Sequence, residues 1–354
     1  MRLGVVAPLV ERTPPASYGG TERVVSWLVE ELVRRGHDVT LFASGDSQTS
    51  ARLVEGCPRA LRLAGVRFDL PYHLVMLGRA FAQAEAFDLI HSHVDFLAFP
   101  FADLVGTPVV HTLHGRLDLP WQPEVYGKFP EGLFVSISDA QRAPLPEVRF
   151  LGTVHHGLPR DLLRFEPEPE DYLLFLGRIS PEKGPILAIE AARAAGARLK
   201  IAAKVDPADQ AFFAREVEPL LDPPYIELVG EVDDARKQDL LGHARALLLP
   251  IDWPEPFGVA FIEAFACGTP VITRPCGSVS EIVRPGVNGL LGIDAADLAA
   301  AIGQVDRIDR RACRADFEAR FTVERMTDDY EALYHSALAR RAGRTKGESI
   351  SRVR

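Results

Sequence analysis

Short apolar runs alternate with segments of helical periodicity along the first half of the chain. Residues 2–7 form an apolar run that predicts a β-strand, and a loop rich in proline and glycine follows it. Apolar side chains then recur at helical spacing from Val24 to Val33, which predicts a helix that Gly36 ends. Residues 39–43 predict the next strand. A strand, a helix and a second strand in this order indicate a parallel α/β sheet.

The alternation is interrupted once and then restarts. Residues 165–171 alternate prolines with acidic residues, which predicts a linker. Strands are predicted before this linker at residues 89–91, 109–113 and 133–137, and after it at residues 172–176, 199–203, 226–229, 246–250 and 270–273, with helices at 185–195, 237–243 and 263–267. The chain is therefore predicted to hold two doubly wound α/β domains. A cleft between them, at the carboxyl ends of both sheets, is the expected ligand site.

Domain boundaries follow from these breaks. The first domain is predicted over residues 1–160 and the second over residues 161–325. Residues 341–354 are basic and polar without periodicity, and we expect them to be disordered.

Composition and charge narrow the class of protein. The chain has 354 residues and a net charge of −9, which argues against a dedicated nucleic-acid-binding protein. Its four cysteines are scattered without metal-ligand spacing, as expected of reduced thiols in a cytoplasmic protein. No signal peptide is recognised, and no apolar run reaches the roughly 20 residues of a membrane span. These features favour a cytoplasmic enzyme without a transmembrane segment.

Two glutamates eight positions apart form the most informative motif. Pro256, which directly follows Glu255, suits the first turn of a helix that would continue to Glu263. Eight helical residues rise about 12 Å, close to the span from sugar to ribose across a diphosphate. The amides of the first turn, near Gly258, favour an anion. Glu263 lies among apolar residues, so its carboxylate needs a partner. An acidic first turn that complements the helix dipole is the alternative explanation for Glu255.

Cations and glycines follow two of the predicted strands. Arg178 and Lys183 lie in the loop after the strand at 172–176, where they would bind a diphosphate and neutralise it as a leaving group. Gly19 and Gly20 lie in the first β–α loop, where they would let a phosphate approach the backbone. A simple turn explains this glycine pair equally well.

Histidines follow two predicted strands of the first half. His114 comes at the end of the strand at 109–113, where it would contact a sugar hydroxyl or a developing charge, whereas we interpret His111 as structural. His91 and His93 alternate on one strand, and a metal site there would need a third ligand that is not evident. The chain also has no Asp-x-Asp motif. We therefore expect no metal ion and no cofactor besides the substrate itself.

Together these motifs resemble those of the retaining glycosyltransferases of family 4, the glycosyl transferases group 1. That family has the GT-B fold, an α/β architecture of two Rossmann-like doubly wound domains facing across a cleft. The resemblance covers residues 1–335 and rests on the segments Gly19 to Glu22, Arg35 to Val39, Thr112 to Gly115, Val135 to Ser138, Gly177-Arg178, Lys183-Gly184, Glu255 to Glu263, Ala266 to Pro270, Glu281 and Gly286 to Gly289. The glutamate pair in its Pro-Phe-Gly context is the most specific of them.

The resemblance implies a role for each motif. His114 and Glu255 would be catalytic; Gly19, Gly20, Arg178, Lys183, Gly258 and Val259 would bind the donor diphosphate; Glu255, Phe257 and Gly258 would bind the sugar; and Glu263 would bind the ribose. The resemblance also implies a UDP-hexose donor, with retention of the anomeric configuration on a front-face path. The two glutamates are too far apart to act as the carboxylate pair, about 5 Å apart, of retaining hydrolases.

Two further features come with the resemblance. A helix over residues 326–340 would cross back to the first domain. The segment from Thr153 to Gly157 resembles the strand that leads out of the first domain, but it has His156 where the family commonly has asparagine. The role of His156 is therefore open.

Acceptor recognition is expected from the first domain. Trp121 and Tyr126 follow the His114 loop, and their rings would stack on a sugar or on a ring-bearing acceptor. Packing in the core explains them equally well. Residues 59–67 carry three arginines among apolar residues, which would suit a membrane surface, but the acidic net charge favours an enzyme without membrane contact. The acceptor is a small molecule, a glycan or a lipid-linked molecule.

Three other classes of protein compete with this prediction. A nucleotide-sugar epimerase or a pyridoxal-type phosphorylase would share the fold, but neither acid/base carboxylates facing a hexose nor a Schiff-base lysine is evident. A dinucleotide oxidoreductase would need Gly-x-Gly-x-x-Gly after the first strand, which is absent. A catalytically silent relative that binds a sugar nucleotide is the third, and intact Arg178, Lys183 and Glu255 argue against it.

Overall fold

The computed structural model describes residues 1–16 and 19–351, with side chains as far as Arg341. The chain divides into two compact units: Met1–Gly157 with Val323–Arg354 form the first, and Leu158–Thr322 forms the second. Both divisions lie three residues before the boundaries at 160 and 325 that the sequence suggests.

A parallel sheet of seven strands forms the centre of the first unit. Its strands are β1 (Arg2–Val6), β2 (Asp38–Ser44), β3 (Arg52–Cys57), β4 (Leu89–Ser92), β5 (Val109–Thr112), β6 (Leu133–Ser136) and β7 (Phe150–Thr153). Their spatial order is β3-β2-β1-β4-β5-β6-β7, so the order reverses between β1 and β4. Ligands of doubly wound sheets bind at this switch point, outside the carboxyl ends of the strands. The sequence does not predict β3 and β7, because most of their side chains are only half-buried and carry little apolar signal.

Helices cover the sheet of the first unit. They are α1 (Gly20–Arg34), α2 (Leu70–Phe81), α3 (Phe99–Ala102), α4 (Gln122–Gly127) and α5 (Asp139–Arg142). The apolar positions that predict α1, among them Val24, Val25 and Leu28, are buried. α1 begins at Gly20, directly after the loop that leaves β1, so its amino end lies at the switch point.

The second unit repeats the same architecture with six parallel strands. Its elements are β8 (Leu173–Arg178), α6 (Pro185–Ala194), β9 (Leu199–Lys204), α7 (Gln210–Phe212), β10 (Ile226–Leu228), α8 (Asp234–His243), β11 (Ala246–Leu248), α9 (Val259–Cys267), β12 (Val271–Thr273), α10 (Val279–Ile282), β13 (Gly289–Leu291), α11 (Ala295–Ile302) and α12 (Arg310–Arg320). The order β10-β9-β8-β11-β12-β13 reverses between β8 and β11. The prediction of two doubly wound α/β domains is confirmed.

The predicted linker at residues 165–171 is a packed segment of the second unit. The amide of Glu166 donates to the carbonyl of Cys267 at 3.0 Å, and the amide of Glu170 donates to the carbonyl of His243 at 2.7 Å. These carbonyls end α9 and α8 and need such donors. The segment looks like a linker in sequence because the backbone hydrogen bonds that hold it leave no mark in the amino-acid pattern.

The last helix, α13 (Val323–Ser351), belongs to the first unit. Arg35, which follows α1, pairs with Asp328 and Glu331 of α13 at 2.6 Å each. Tyr334 of α13 contacts His91 of β4, with 2.7 Å between the hydroxyl and Nδ1. The helix continues through residues 341–351, where the sequence predicts disorder, since each further helical residue only extends turns that are already packed. Residues 352–354 lie outside the described part of the chain.

Candidate active site

An ion pair joins two loops at the switch point of the second unit. The loop after β8 carries Lys183 and the loop after β11 carries Glu255. The Lys183 Nζ lies 2.5 Å from Oε2 of Glu255. Both side chains are mostly buried, with 17% and 10% of their surface exposed. A cation and a carboxylate that the sequence separates by more than 70 residues are therefore held together where ligands of such sheets bind.

Trp253 is a third member of this group, and sequence reasoning missed it. Its indole Nε1–H donates to Oε2 of Glu255 at 2.8 Å, and the Lys183 Nζ lies 5.5 Å from the centre of its ring. The signal was available, because a tryptophan only two residues before the conspicuous Glu255 lies in a loop and not in a predicted core element.

Two glycines allow this close packing of loops. Gly184 has φ 71°, and a Cβ there would lie 2.2 Å from the carbonyl oxygen of Pro250. Gly277 has φ 58°, and a Cβ there would lie 2.5 Å from the backbone nitrogen of Glu255. Both the dihedral angles and the short distances require glycine. The loop that carries Glu255 is therefore fixed from two sides by backbone.

The predicted geometry of the two glutamates is wrong in one respect. Helix α9 begins at Val259, and Gly258 caps it with φ 84°, so Glu255 and Pro256 lie in the preceding loop. The two carboxylates are not separated by eight helical residues, and the estimated rise of about 12 Å does not apply. Gly258, in the left-handed region, turns the chain into the helix. The sequence suggested an earlier helix start because Pro256 suits a first helical turn. The amide groups of the first turn of α9, from Val259 onward, still point towards the loop.

Phe257 lies between these two parts of the motif, and its side chain is buried. The ring packs against Phe321 with 6.2 Å between ring centres. Its carbonyl accepts from Oγ of Ser278 at 2.9 Å. A contact from Phe257 to a ligand would therefore come from the backbone and not from the ring.

Glu263 has its own cationic partner. The Lys237 Nζ, on α8, lies 2.5 Å from Oε1 of Glu263, whose side chain is 7% exposed. The same ammonium lies 3.2 Å from Asp234. Lys237 supplies the partner that the apolar surroundings of Glu263 require. Sequence reasoning could not identify it, because Lys237 is one of many lysines and arginines on the faces of predicted helices.

Arg178 lies at the end of β8 among acidic residues. Its guanidinium contacts the carboxylate of Glu182 and lies within 3.8 Å of Asp206 and 3.5 Å of Asp209. About a third of its side chain is exposed. The carboxylates hold the guanidinium at the carboxyl edge of the sheet, beside the loop of Lys183.

In the first unit, Gly19 and Gly20 lie where α1 begins. Gly19 has φ 154°, and a Cβ there would lie 2.9 Å from Pro15. Apart from its chain neighbours, no atom of the described residues lies within 4 Å of a Cβ built on Gly20. The backbone at Gly20 is therefore open to an approaching group. Tyr18, which precedes this pair, lies outside the described residues.

His114, itself half-buried, belongs to a row of imidazoles at the carboxyl ends of β4 and β5. Its Nε2 lies 2.8 Å from Nδ1 of His93. The ring of His114 also stacks on His156 with 5.3 Å between centres, and His93 lies 4.0 Å from His91 by the same measure. Burial lowers the pKa of His114 to about 3. His114 is therefore neutral at physiological pH and acts as a hydrogen-bonding group rather than a cation. His156 lies at the end of this row, two residues before the second unit begins.

The remaining histidines of this region are structural. His91 lies between the hydroxyls of Tyr334 and Thr112, each 2.7 Å away. His111 packs edge-on against Phe99, with 4.9 Å between ring centres, as expected of a core residue. Within the described part of the chain, no three His, Cys, Asp or Glu side chains are grouped so that they could hold a metal ion.

Asp95, which directly follows the turn from β4, was not predicted as a site residue. Its φ is 46°, a left-handed conformation that few residues other than glycine adopt. Its Oδ1 accepts from the backbone amide of His114 at 3.3 Å. Burial raises the pKa of the Asp95 carboxyl to about 6, against the opposing effect of this hydrogen bond. Its unusual backbone and its contact with His114 mark it as a residue of the same site.

Two buried glutamines hold the loop that carries His114. Gln141 donates from Nε2 to the carbonyls of Leu113 and Gly115, at 2.8 and 2.7 Å. Gln122 donates to the carbonyl of Arg116 at 2.8 Å. The backbone on both sides of His114 is therefore fixed, which makes the position of its ring well defined.

The two aromatic residues after this loop have different environments. Trp121 is 40% exposed and contacts Phe96, also 40% exposed, with 5.1 Å between ring centres at 73°. Tyr126 is 2% exposed and packs edge-on against Phe99. The prediction that Tyr126 faces an acceptor is therefore wrong, because α4 turns its ring into the core. Trp121 remains a candidate.

Residues 59–67, which carry three arginines among apolar residues, combine an ion pair with an exposed apolar side chain. Arg62 pairs with Glu11 at 2.8 Å, and Leu63 is about half exposed. Among the helices of the described residues, none is long and apolar enough to span a bilayer.

This architecture defines a class of protein. Two Rossmann-like units in tandem, each with charged or imidazole side chains at its switch point, are the GT-B glycosyltransferase fold. Two family models match the chain: a glycosyl transferase 4-like domain over residues 19–174, and glycosyl transferases group 1 over residues 164–313. The chain belongs to the glycosyl transferases group 1, and the resemblance inferred from its motifs is confirmed.

Individual relatives agree with this family. The chain is 28% identical to the D-inositol 3-phosphate glycosyltransferase of Mycobacterium marinum, over 90% of this chain and 82% of the relative. Sucrose-phosphate synthase from Thermosynechococcus elongatus shares the fold with a TM-score of 0.77, at 22% identity over 96% and 99% of the two chains. HepE of Anabaena, solved in complex with UDP and glucose, shares it with a TM-score of 0.75, at 19% identity over 95% and 100%.

Proposed function

We propose that this glycosyltransferase moves a hexose from a UDP-sugar to an acceptor hydroxyl, with retention of configuration and without a metal ion. The observation that carries the proposal is the ion pair between Lys183 and Glu255 at the switch point of the second unit, with Arg178 at the end of β8 beside the loop of Lys183. Charged side chains at this edge match a donor that is itself charged at the diphosphate and rich in hydroxyls at the sugar.

Donor binding would exchange the partners of Lys183. A diphosphate brings charge that Lys183 and Arg178 can bind, joined by the amides of the first turn of α9 at Val259. Once Lys183 moves to the phosphate, the carboxylate of Glu255 becomes available to accept hydrogen bonds from sugar hydroxyls. The Trp253 indole would keep Glu255 oriented during this exchange, because it donates to the same carboxylate.

The ribose would bind at Glu263. Lys237 occupies Oε1 of this carboxylate, and in the proposal Oε2 accepts from a ribose hydroxyl. Lys237 would then supply the cationic partner that a carboxylate in apolar surroundings needs. Gly19 and Gly20 of the first unit would add backbone contacts to the phosphates, as the resemblance implies, and His114 would contact the sugar.

The reaction would proceed on one face of the sugar. The bond from the anomeric carbon to the diphosphate oxygen breaks while the acceptor oxygen bonds to the same carbon from the same side. The acceptor proton passes to a diphosphate oxygen, and Arg178 and Lys183 stabilise the charge of the leaving group. No carboxylate nucleophile is needed, and neutral His114 would donate or accept one hydrogen bond to the sugar.

The choice of UDP rests on a relative. HepE was solved in complex with UDP and glucose and has the same fold. For the acceptor, the name of the Mycobacterium marinum relative points to D-inositol 3-phosphate for that protein. In this chain Trp121 is the aromatic side chain that we propose on the acceptor side.

Calorimetric titration with UDP, GDP, ADP and TDP in EDTA tests the donor assignment. We expect UDP to bind wild-type protein and its affinity to fall at least tenfold in Arg178→Ala. Arg311→Ala is the matched control, because this arginine is exposed on α12, away from the switch point, and should leave UDP binding unchanged. Folded wild-type protein that binds none of the four nucleotides would contradict the proposal and favour a catalytically silent relative.

A further inference from the structure

An exposed aromatic pair lies on the surface beside His114. Phe96 follows β4, Trp121 follows β5, and the two rings meet edge to face with 5.1 Å between centres. Each residue is 40% exposed, although aromatic rings of this size are usually buried. Helix α4 begins directly after Trp121, and buried Gln122 fixes the preceding loop through the carbonyl of Arg116. The pair is therefore held on an ordered surface.

Asp95 connects this pair to His114. Phe96 directly follows Asp95, and Oδ1 of Asp95 accepts from the amide of His114 at 3.3 Å. The other oxygen, Oδ2, lies beside Gly115, 3.8 Å from the position that a Cβ would take there. One surface thus presents two aromatic rings, a half-buried carboxylate and an imidazole.

The charged side chains of this surface favour a neutral acceptor over a phosphorylated one. Within the described residues Asp95 takes part in no ion pair, and Arg116, on the His114 loop, forms a two-bond pair with Asp118 at 2.5 and 2.7 Å. A phosphorylated acceptor would bring its charge beside the Asp95 carboxylate, while Arg116 on this loop is already paired with Asp118. A neutral sugar ring fits instead, because its C–H face packs on aromatic rings while its hydroxyls donate to a carboxylate.

We propose that Phe96, Trp121 and Asp95 form the acceptor subsite of this enzyme and that the acceptor is an uncharged pyranose. The inference rests on the proposed transferase function and specifies the chemical class of its acceptor. It also separates this chain from the relative whose name contains D-inositol 3-phosphate. Phe96 and Trp121 bind the ring, and Asp95 orients the hydroxyl that attacks the donor sugar.

Saturation-transfer NMR on the full chain tests the subsite. The neutral probes are the methyl pyranosides of glucose, galactose and mannose, and the charged probes are glucose 6-phosphate and myo-inositol 3-phosphate, each measured with and without UDP. We expect at least one neutral probe to bind wild-type protein more tightly than both charged probes. Its affinity should fall at least tenfold in Phe96→Ala and in Trp121→Ala.

Two further variants separate a specific subsite from a general loss of structure. Phe68→Ala removes an aromatic ring that is 67% exposed elsewhere in the first unit, and it should leave pyranoside binding unchanged. Asp95→Asn can still accept from the amide of His114, and it should weaken the neutral probe while no longer disfavouring the charged ones. All four variants should bind UDP as wild-type protein does.

The outcomes distinguish the two proposals. Wild-type protein that binds no nucleotide contradicts the donor assignment. If UDP binds normally, any of three results overturns the acceptor subsite. The charged probes bind best, no neutral probe binds, or pyranoside affinity is unchanged in Phe96→Ala and Trp121→Ala.

Discussion

Lys183 and Glu255 neutralise each other 2.5 Å apart, although 72 residues separate them in sequence. The pair spans the two strands, β8 and β11, between which the order of the second sheet reverses. In the proposed mechanism, a donor diphosphate that binds Lys183 would leave Glu255 free to bind the sugar. The two residues should therefore have different effects on donor binding and on transfer.

Replacing Lys183 should weaken nucleotide binding, whereas replacing Glu255 should not. Lys183→Ala removes a phosphate contact and leaves the Glu255 carboxylate to repel the diphosphate, so we expect UDP affinity to fall at least tenfold, or about 1.4 kcal/mol. Glu255→Gln should bind UDP within threefold of wild type but lose at least a hundredfold in transfer. Calorimetry and a donor-turnover assay measure the two effects. Lys200→Ala, from the same unit, is the control, and equal loss of UDP affinity in both site variants would contradict the exchange of partners.

The ion pair between Lys237 and Glu263 should be important for stability. Lys237→Met leaves a carboxylate that is 7% exposed without its cation, which should cost about 3 kcal/mol of the free energy of unfolding. Urea denaturation of Lys237→Met and of Lys237→Met/Glu263→Gln measures this, and the double variant should recover at least half of the loss. Arg236→Met, on the exposed face of the same helix, should change stability by less than about 0.5 kcal/mol. A double variant no more stable than the single one would contradict this explanation.

Buried His111 should make the protein sensitive to acid. Burial lowers its pKa to about 3, against about 6.5 in the unfolded chain, so unfolding takes up a proton below pH 6.5. The stability that neutral His111 contributes is complete above pH 6.5 and is lost as the pH falls towards 3. At pH 5 this amounts to roughly 2 kcal/mol. His111→Leu should reduce the difference in unfolding free energy between pH 7 and pH 5 by about this amount. An unchanged difference would show that other groups dominate.

Transfer to a pyranoside should depend on the ionisation of Asp95. Burial raises the pKa of its carboxyl to about 6, so the carboxylate that accepts from the acceptor hydroxyl is lost as the pH falls below 6. His114, whose backbone amide contacts Asp95, has a pKa of about 3 and stays neutral in this range, and burial keeps the pKa of Tyr126 above its usual range. Transfer rates at saturating donor from pH 5 to 8 should show this decline, and Asp95→Asn should be slower but nearly independent of pH. An identical profile in both proteins would rule out Asp95 as the titrating group.

Gly184 should tolerate no side chain because a Cβ would collide with its surroundings, and Gly196 serves as a control without that collision. Both glycines have positive φ, 71° and 64°, but only at Gly184 would a Cβ collide with a neighbour, the carbonyl of Pro250 at 2.2 Å. Gly196→Ala should lower the free energy of unfolding only by the cost of a positive φ in alanine, about 1–2 kcal/mol. Gly184→Ala should cost more and should also reduce UDP affinity at least tenfold, because it displaces the loop of Lys183. Thermal unfolding and calorimetry compare the two, and equal effects would mean that the collision is relieved without moving the loop.

Local patterns in the sequence were sufficient for the fold and for the family. Buried parallel strands are continuous apolar runs, and glycines and prolines mark their ends, so β1, β2, β4 and β5 are evident without any tertiary information. Strands β3 and β7 are not, because side chains that are only half-buried leave no such pattern. The motif from Glu255 to Glu263 identified the family because it is local as well.

Pairing across the fold could not be derived in the same way. Lys237 is separated from Glu263 by 26 residues, and His93 from His114 by 21, and nothing in a single sequence says which of many charged or imidazole side chains will meet. The sequence also left open whether the ring of Tyr126 is buried or exposed, because its direction depends on how α4 is oriented.

By itself, then, the amino-acid sequence determined two doubly wound domains and the residues that carry charge at the strand ends. Only the tertiary structure decided that Lys183 meets Glu255, that Glu255 lies before its helix, and that Asp95 and Phe96 join His114 and Trp121. The physical reason is that secondary structure depends on patterns within a few neighbours, whereas these contacts depend on the order in which parallel strands are laid side by side.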